Sequence, residues 1–358
     1  MRYLITGGAG FIGSAAVRHL VDTGQCVLNI DKLTYAGDPR TIADVADAPG
    51  YTFLHADISD ADAMGRAFMD FAPDVVLHLA AESHVDRSID GPGAFIETNI
   101  RGTFVLLDAA LQYWKALPQD KQKSFRFLTV STDEVYGSLG ASGSFCETTP
   151  YQPNSPYAAS KASADHLTRA WCKTFDLPTI ITNCSNNYGP FQNGEKFLPT
   201  IIRNALIDQP IPIYGRGENV RDWLYVDDHV SALITIAANG KVGEKYNVGG
   251  NAEVSNLDLA NTICTILDEM RPRADGKSYA EQLRFTKDRP GHDFRYAIDA
   301  SKIKADLGWE PALTFTQGMR KMVKWYLDNQ SWWREGAEDI KRLGLGEETP
   351  KGTKSGNE

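Results

Sequence analysis

Residues Tyr3–Leu20 read YLITGGAGFIGSAAVRHL. Tyr3–Thr6 is an apolar-rich run that suits a buried strand. Gly7, Gly10 and Gly13 follow at three-residue spacing, and a helical pattern then runs from Gly13 to Thr23. A strand, a glycine turn and a helix in that order make a phosphate cradle. Glycine lets the backbone approach a pyrophosphate, and the helix N-terminus adds N–H groups and a favourable dipole. The common spacing of such a loop is GxGxxG, and here one residue is inserted after the first glycine. Val27–Ile30 reads as a second strand ending at Asp31, eighteen residues past Gly13. That is the place of the acid that accepts hydrogen bonds from a ribose. A carboxylate there repels a 2′-phosphate, which predicts NAD over NADP, with Lys32 alongside pulling the other way.

The rhythm continues outward from this loop. Further strands are expected at Thr52–His55, Val75–Leu79, Phe125–Ser131 and Thr179–Asn183, and helices at Gly93–Trp114 and Pro156–Phe175. Alternating β and α units imply a parallel sheet covered on both faces, a doubly wound α/β fold of Rossmann type. From Asn187 the pattern changes to loops rich in Gly, Pro and Asn. Helices at Asp227–Ala238, Asn256–Met270 and Thr316–Asp328 lie between them. The expected division is a cofactor domain over 1–186, a smaller α/β substrate-binding lobe over 187–330 with some interleaving, and a tail over 331–358. The end of that tail, GEETPKGTKSGNE, is almost free of apolar residues and is expected to be disordered.

Composition narrows the class. The chain has 358 residues, 42% hydrophobic and 23% charged, which is ordinary for a globular protein. No apolar run is long enough for a membrane span, and the N-terminus enters a strand directly, without the features of a secretory signal. The five cysteines are scattered, with no CxxC pair and no Cys/His cluster, so neither a disulfide frame nor a metal site is expected. Reduced thiols point to the cytoplasm. A net charge of −9 disfavours nucleic acid as a partner.

Two motifs carry chemistry. VSTDEVYG, Val130–Gly137, places Thr132, Asp133 and Glu134 where a buried strand ends. Two adjacent acids are costly at such a place, and they suit an acid and a base with separated pKa values. SPYAASKASADHL places Tyr157 and Lys161 four apart on one helical face. An ammonium about 4 Å from a phenolate is worth roughly 4 kcal/mol at an effective dielectric near 20. That corresponds to about three pKa units, so Lys161 is expected to bring Tyr157 toward neutrality as a base.

The glycine loop, the Ser131–Thr132 pair and Tyr157-x-x-x-Lys161 resemble the extended short-chain dehydrogenase/reductase family. DKLTYAG, AAESHVDRSI, STDEVYG, NNYGP, RDWLYVDDH and DRPGHDFRYAID narrow the resemblance to its nucleotide-sugar dehydratase branch, over roughly residues 1–330. The resemblance implies removal of water across C5 and C6 of a hexose. Tyr157, tuned by Lys161, would take the C4 hydroxyl proton, with Thr132 holding that hydroxyl. Glu134 would remove the C5 proton, and Asp133 would protonate the C6 leaving group. NAD is then expected on Gly7, Gly10, Phe11, Ile12, Gly13, Asp31, Asp57, Ile58 and Ala80, together with Tyr157 and Lys161. The implied substrate is dTDP-glucose or a related nucleotide sugar. It would be held by Ser83, Asn187, Lys196, Tyr214, Arg221, Asn256, Arg289, His292 and Tyr296. Arg221 and Arg289 suit the diphosphate, Tyr214 could stack on the base, and Asn256 reads equally as a helix cap.

Apolar residues on more than one face of the two long helices (Phe104, Leu107, Leu111; Leu167, Ala170, Trp171) suggest a homodimer or closer packing within the chain. The rival activity is an NAD-dependent epimerase or decarboxylase of nucleotide sugars, separated from a dehydratase by Asp133 and Glu134. A non-catalytic NAD-binding regulator on the same fold is the rival from another class.

Overall fold

A seven-stranded sheet with every neighbouring pair parallel organises the chain in the computed structural model, which describes residues 1–288 and 291–334. Its strands are β1 (Arg2–Thr6), β2 (Cys26–Asp31), β3 (Tyr51–His55), β4 (Val75–His78), β5 (Arg126–Thr132), β6 (Thr179–Cys184) and β10 (Lys245–Val248). The spatial order is β10-β6-β5-β4-β1-β2-β3. The order reverses between β1 and β4, and a crevice opens there beyond the carboxyl ends of the strands.

Both faces of the sheet are covered, which is why its strands are apolar almost throughout. One face carries α1 (Phe11–Asp22) and α9 (Val226–Asn239), where Val17 and Leu20 join Val230, Leu233 and Ile236 in one cluster. The other carries α2 (Ala61–Phe71), α5 (Thr103–Ala116) and the Leu177 turn after α7 (Pro156–Phe175). Met64, Phe68, Leu106 and Leu107 are fully buried there, each worth roughly 1.5–3 kcal/mol of transfer free energy.

Before α5 the chain runs through α3 (Val85–Asp90), α4 (Pro92–Phe95) and a π-type segment, Ile96–Gly102. The helix expected over Gly93–Trp114 is therefore continuous in path but widened at its start. After α5 comes the short α6 (Gln119–Ser124).

The smaller lobe contains β7 (Asn186–Tyr188), β9 (Val220–Tyr225) and β11 (Glu253–Ser255) in one sheet, and β8 (Ile211–Tyr214) with β12 (Leu283–Thr286) in another. Around them pack α8 (Phe197–Leu206), α10 (Asn256–Met270), α12 (Phe315–Asp328) and α13 (Gln330–Arg334), while α11 (Ser301–Leu307) joins the large sheet's cluster through Ile303. The lobes share the chain rather than dividing it, since β10 and α9 belong to the large sheet.

Two expectations change. The tail begins folded: Trp333 is buried among the smaller lobe's apolar residues and Trp332 packs edge-on against Phe191. The expected disorder of 346–358 lies outside the described residues. Leu107 and Leu111 face the chain's own core, whereas Phe104 and Phe175 are exposed and Phe104 packs edge-on against Trp171. Positions 104, 107 and 111 share one helical face, with Phe104 at the first turn of α5.

Candidate active site

The glycine loop leaves β1 at Gly7, whose φ is +75° and whose N–H donates to Ile30 O. A Cβ on Gly7 would stand 2.7 Å from Ala80 N, and one on Gly13 would stand 2.1 Å from Gly7 O. Only glycine permits this closeness of loop, helix and β4. The first turn of α1 holds no acidic residue, and its Gly10 N-cap offers no side chain, so its N–H groups are open to an anion.

Asp31 ends β2, 8% exposed, with Oδ2 accepting Ala9 N at 2.9 Å and Oδ1 accepting Leu33 N at 2.8 Å. Its remaining lone pairs face a cavity of about 280 Å³ that it helps to line. Lys32 is drawn off to Thr98 Oγ1 at 3.0 Å and Asp57 at 3.4 Å, so it does not offset the carboxylate. These residues fit a dinucleotide without a 2′-phosphate. Asp57 itself turns to Ser59 and Lys32 and does not line the cavity, although Ala56 and Ile58 do.

The same cavity is lined by Thr132, Asp133, Glu134, Tyr157 and Lys161, and by Ser83, Asn187 and Lys196. β5 ends at Thr132, whose Oγ1 accepts Glu134 N at 3.3 Å and starts a 3₁₀ turn over Asp133–Tyr136. Gly137, at φ +93°, ends that turn. Asp133 is 1% exposed, its Oδ2 has no partner, and its Oδ1 takes the Thr132 hydroxyl at 3.3 Å. Burial first, then Glu134 and Asp222, push its carboxyl well above the ordinary range, against Arg221 and Thr132. Its neutral, protonated form is thus the favoured one.

Helix α7 delivers the other pair. Ser155 caps it, its Oγ accepting Ala158 N at 3.1 Å, and Pro156 sits in the first turn. Lys161 Nζ donates to Val130 O at 2.8 Å, deep in the structure. Here the expected tuning is corrected. Burial, then Glu134, Cys184 and Asp133 push the Tyr157 phenol well above its ordinary value, while the Thr132 hydrogen bond opposes them. Lys161 is itself pulled down by burial, partly restored by Asp165 and Cys184. Desolvation outweighs the Coulomb attraction that the four-residue spacing suggested.

Several cavity residues carried no sequence signal, among them Thr98, Cys184, Gln192 and Asn193. Thr98 is brought inward by the π-type segment, where Asn99 also ties Glu82 N and Ser160 Oγ, each at 2.8 Å. A widened helix of this kind is a common mark of a functional site.

Tyr214, Arg221, Asn256, His292 and Tyr296 lie outside the cavity lining, and Arg289 lies outside the described residues. Arg221 is buried, with Nη1 on Val220 O at 2.7 Å and Nη2 on Asp293 O at 2.9 Å, over the Tyr296 ring at 4.3 Å. Its guanidinium therefore braces backbone carbonyls. It still adjoins the acids, since it acts on the Asp133 carboxyl and Glu134 acts on the Tyr296 phenol. His292 pairs with Asp288 at 2.7 Å and meets Tyr214 edge-on. Asn256 is not a cap: Ser255 caps α10, its Oγ accepting Asp258 N at 3.0 Å. Asn187 Oδ1 faces His229 Nδ1 at 2.9 Å, its Nδ2 donates to Ser185 O at 2.9 Å, and Lys196 Nζ donates to Ser83 O at 3.0 Å.

Phosphate loop, ribose acid and a Tyr/Lys pair around one crevice define an extended short-chain dehydrogenase/reductase. Comparison with known proteins narrows this. The family model described as GDP-mannose 4,6 dehydratase matches residues 4–322. A dTDP-glucose 4,6-dehydratase of Shigella flexneri is 58% identical, over 93% of this chain and 94% of the relative. Among solved structures, a dTDP-glucose 4,6-dehydratase from Streptomyces venezuelae with NAD bound superposes with a TM-score of 0.85. It is 42% identical and covers 94% of this chain and 99% of the other. One from Bacillus anthracis in complex with NAD gives 0.83 at 41% identity, covering 94% and 99%. The chain belongs to the nucleotide-sugar 4,6-dehydratase family that this model describes, alongside the dTDP-glucose enzymes.

Proposed function

We infer that this chain is a hydro-lyase that converts dTDP-glucose to dTDP-4-keto-6-deoxyglucose and water, using NAD. The observation that carries the reading is Asp133, a buried carboxyl beside Glu134 in one cavity with Tyr157 and Thr132, where burial pushes it toward its protonated form. The bound cofactor would supply the oxidant at C4, return the same electrons to C6, and bring the positive charge that an ionised Tyr157 needs. Gly7, Gly10, Gly13 and Asp31 would hold it.

The residues divide the proton work. Tyr157 takes the C4 hydroxyl proton while Thr132 holds that hydroxyl by hydrogen bond. The C4 ketone acidifies the C5 proton, and Glu134 removes it. Asp133 gives its proton to the C6 hydroxyl, which leaves as water. An epimerase needs neither of the last two steps, so the acid pair is what favours dehydration over epimerisation. Ser83, Asn187 and Lys196 are proposed at the sugar and diphosphate. Arg221, Tyr214, His292 and Tyr296 are proposed at the nucleotide end, with Arg221 acting mainly by shaping that wall.

We also propose a homodimer through the exposed Phe104 and Phe175 with the half-buried Trp171 between them, and a cytoplasmic setting for a chain in which no described helix can cross a membrane. The test of function is incubation with dTDP-glucose and, separately, UDP-glucose, following product mass and reduced-cofactor absorbance. Loss of one water from dTDP-glucose without accumulated NADH is expected. An isomer of unchanged mass would overturn the reading.

A further inference from the structure

Behind the acid pair lies a buried polar network that the chemistry above does not use. Asp165 stands one turn beyond Lys161 on α7 and is 1% exposed, outside the lining of the catalytic cavity. Its Oδ2 accepts three donors: Ser131 Oγ at 2.8 Å, Tyr151 OH at 2.9 Å and Asn183 Nδ2 at 3.2 Å. Asn183 Nδ2 also donates to Thr132 O at 3.2 Å, and Lys161 holds Val130 O. Three successive residues at the end of β5 are thus tied to α7 and β6 immediately before Asp133. Past Asp133 and Glu134, Tyr136 OH donates to Asn183 Oδ1 at 3.3 Å and Asn247 Oδ1 at 2.8 Å. One network grips the catalytic turn at both ends.

Asp165 is expensive where it stands. Its Oδ1 is buried without a partner, and a site that needed only packing would be served as well or better by an apolar side chain. A carboxylate is the side chain that can gather three donors onto one oxygen.

We propose that Asp165 is a positioning residue for the dehydration, fixing Ser131 directly and the Thr132 carbonyl through Asn183, so that Asp133 and Glu134 keep their place against C5 and C6. This rests on the reading of the chain as a 4,6-dehydratase. Tyr157 rides on α7 itself, so C4 oxidation depends on the network through Thr132 alone, whereas elimination depends on it through both Asp133 and Glu134.

The test compares the full chain with Asp165→Asn and Ser131→Ala on dTDP-glucose, in steady state and in single turnovers followed by reduced-cofactor absorbance. Asp165→Asn is expected to lower kcat about 10- to 100-fold with KM within about threefold, as misplacement of catalytic groups does. Reduced cofactor should build up, because oxidation outruns an elimination whose acid and base are displaced. Ser131→Ala removes one donor of three and should show the same build-up with a fall in kcat below about tenfold. Turnover by Asp165→Asn within about twofold of the unaltered chain overturns the proposal. So does uniform slowing of every step with no build-up in either variant. If Asp165→Asn does not fold, Ser131→Ala decides: build-up supports the proposal and unaltered kinetics overturn it. An unaltered chain inactive on dTDP-glucose refutes the function itself, and the proposal falls with it.

Discussion

Burial first, then Glu134 and Asp222, push the Asp133 carboxyl toward its protonated form, with consequences for both rate and stability. Asp133→Asn keeps the shape and removes the proton donor. Steady-state assay on dTDP-glucose should show kcat lower by about 10²–10⁴-fold, the usual worth of a general acid, with KM little changed. The same substitution should stabilise the fold. The native carboxyl binds its proton more tightly than the unfolded chain does, so wild-type stability falls as pH rises from the ordinary carboxylate range through the raised native value. Above that window Asp133→Asn should melt about 1–3 °C higher than wild type, and below about pH 4 the gain should vanish. A scan of melting temperature against pH checks the sign. Adjacent acids at a strand end were legible as chemistry in the sequence, because two carboxyls are costly to keep at such a place. The state of Tyr157 was not. Spacing places Lys161 nearby but does not reveal that its ammonium is turned to Val130 O, or that desolvation outweighs it. Arg221 was likewise legible as a fork for a diphosphate but not as a brace for carbonyls.

At the scale of elements, the glycine loop and α1 act as one rigid cradle. Gly13→Ala would drive a Cβ to 2.1 Å from Gly7 O, where only backbone can yield. Cofactor titration should show NAD binding weakened at least about 100-fold, or roughly 2.7 kcal/mol. Binding within about threefold of wild type would mean that the cradle is looser than its contacts imply. The first six strands of the large sheet and the limits of α7 were readable because burial on both faces and a Ser-Pro start leave clear signals. Other elements were not, for reasons that three of them show. The π-type segment Ile96–Gly102 keeps helical composition while changing its winding. α8 contains Pro199, which reads as a break but sits harmlessly in the first turn, where its missing N–H has no partner to lose. β10, the four residues KYNV, is too short to stand out from the loops around it, and the sheet's open edge beside β6 is what makes it a strand.

For the whole molecule, the sheet sets the cofactor and the smaller lobe closes over its carboxyl ends, with the acid pair at the seam. The stripe of exposed Phe104 and Phe175 with half-buried Trp171 between them lies away from that seam, so assembly and chemistry should separate. Phe104→Glu is expected to give a monomer by light scattering where the unaltered chain gives a dimer; equal masses for both would place the interface elsewhere. The central claim is that one sugar is oxidised at C4, dehydrated across C5 and C6, and reduced at C6 within a single cavity. Turnover of dTDP-glucose carrying deuterium at C4 tests it most directly. The account predicts a product lighter by one water, with that deuterium at C6 and a solvent proton at C5. Deuterium returned to C4 in a product of unchanged mass, or lost to solvent, would contradict it.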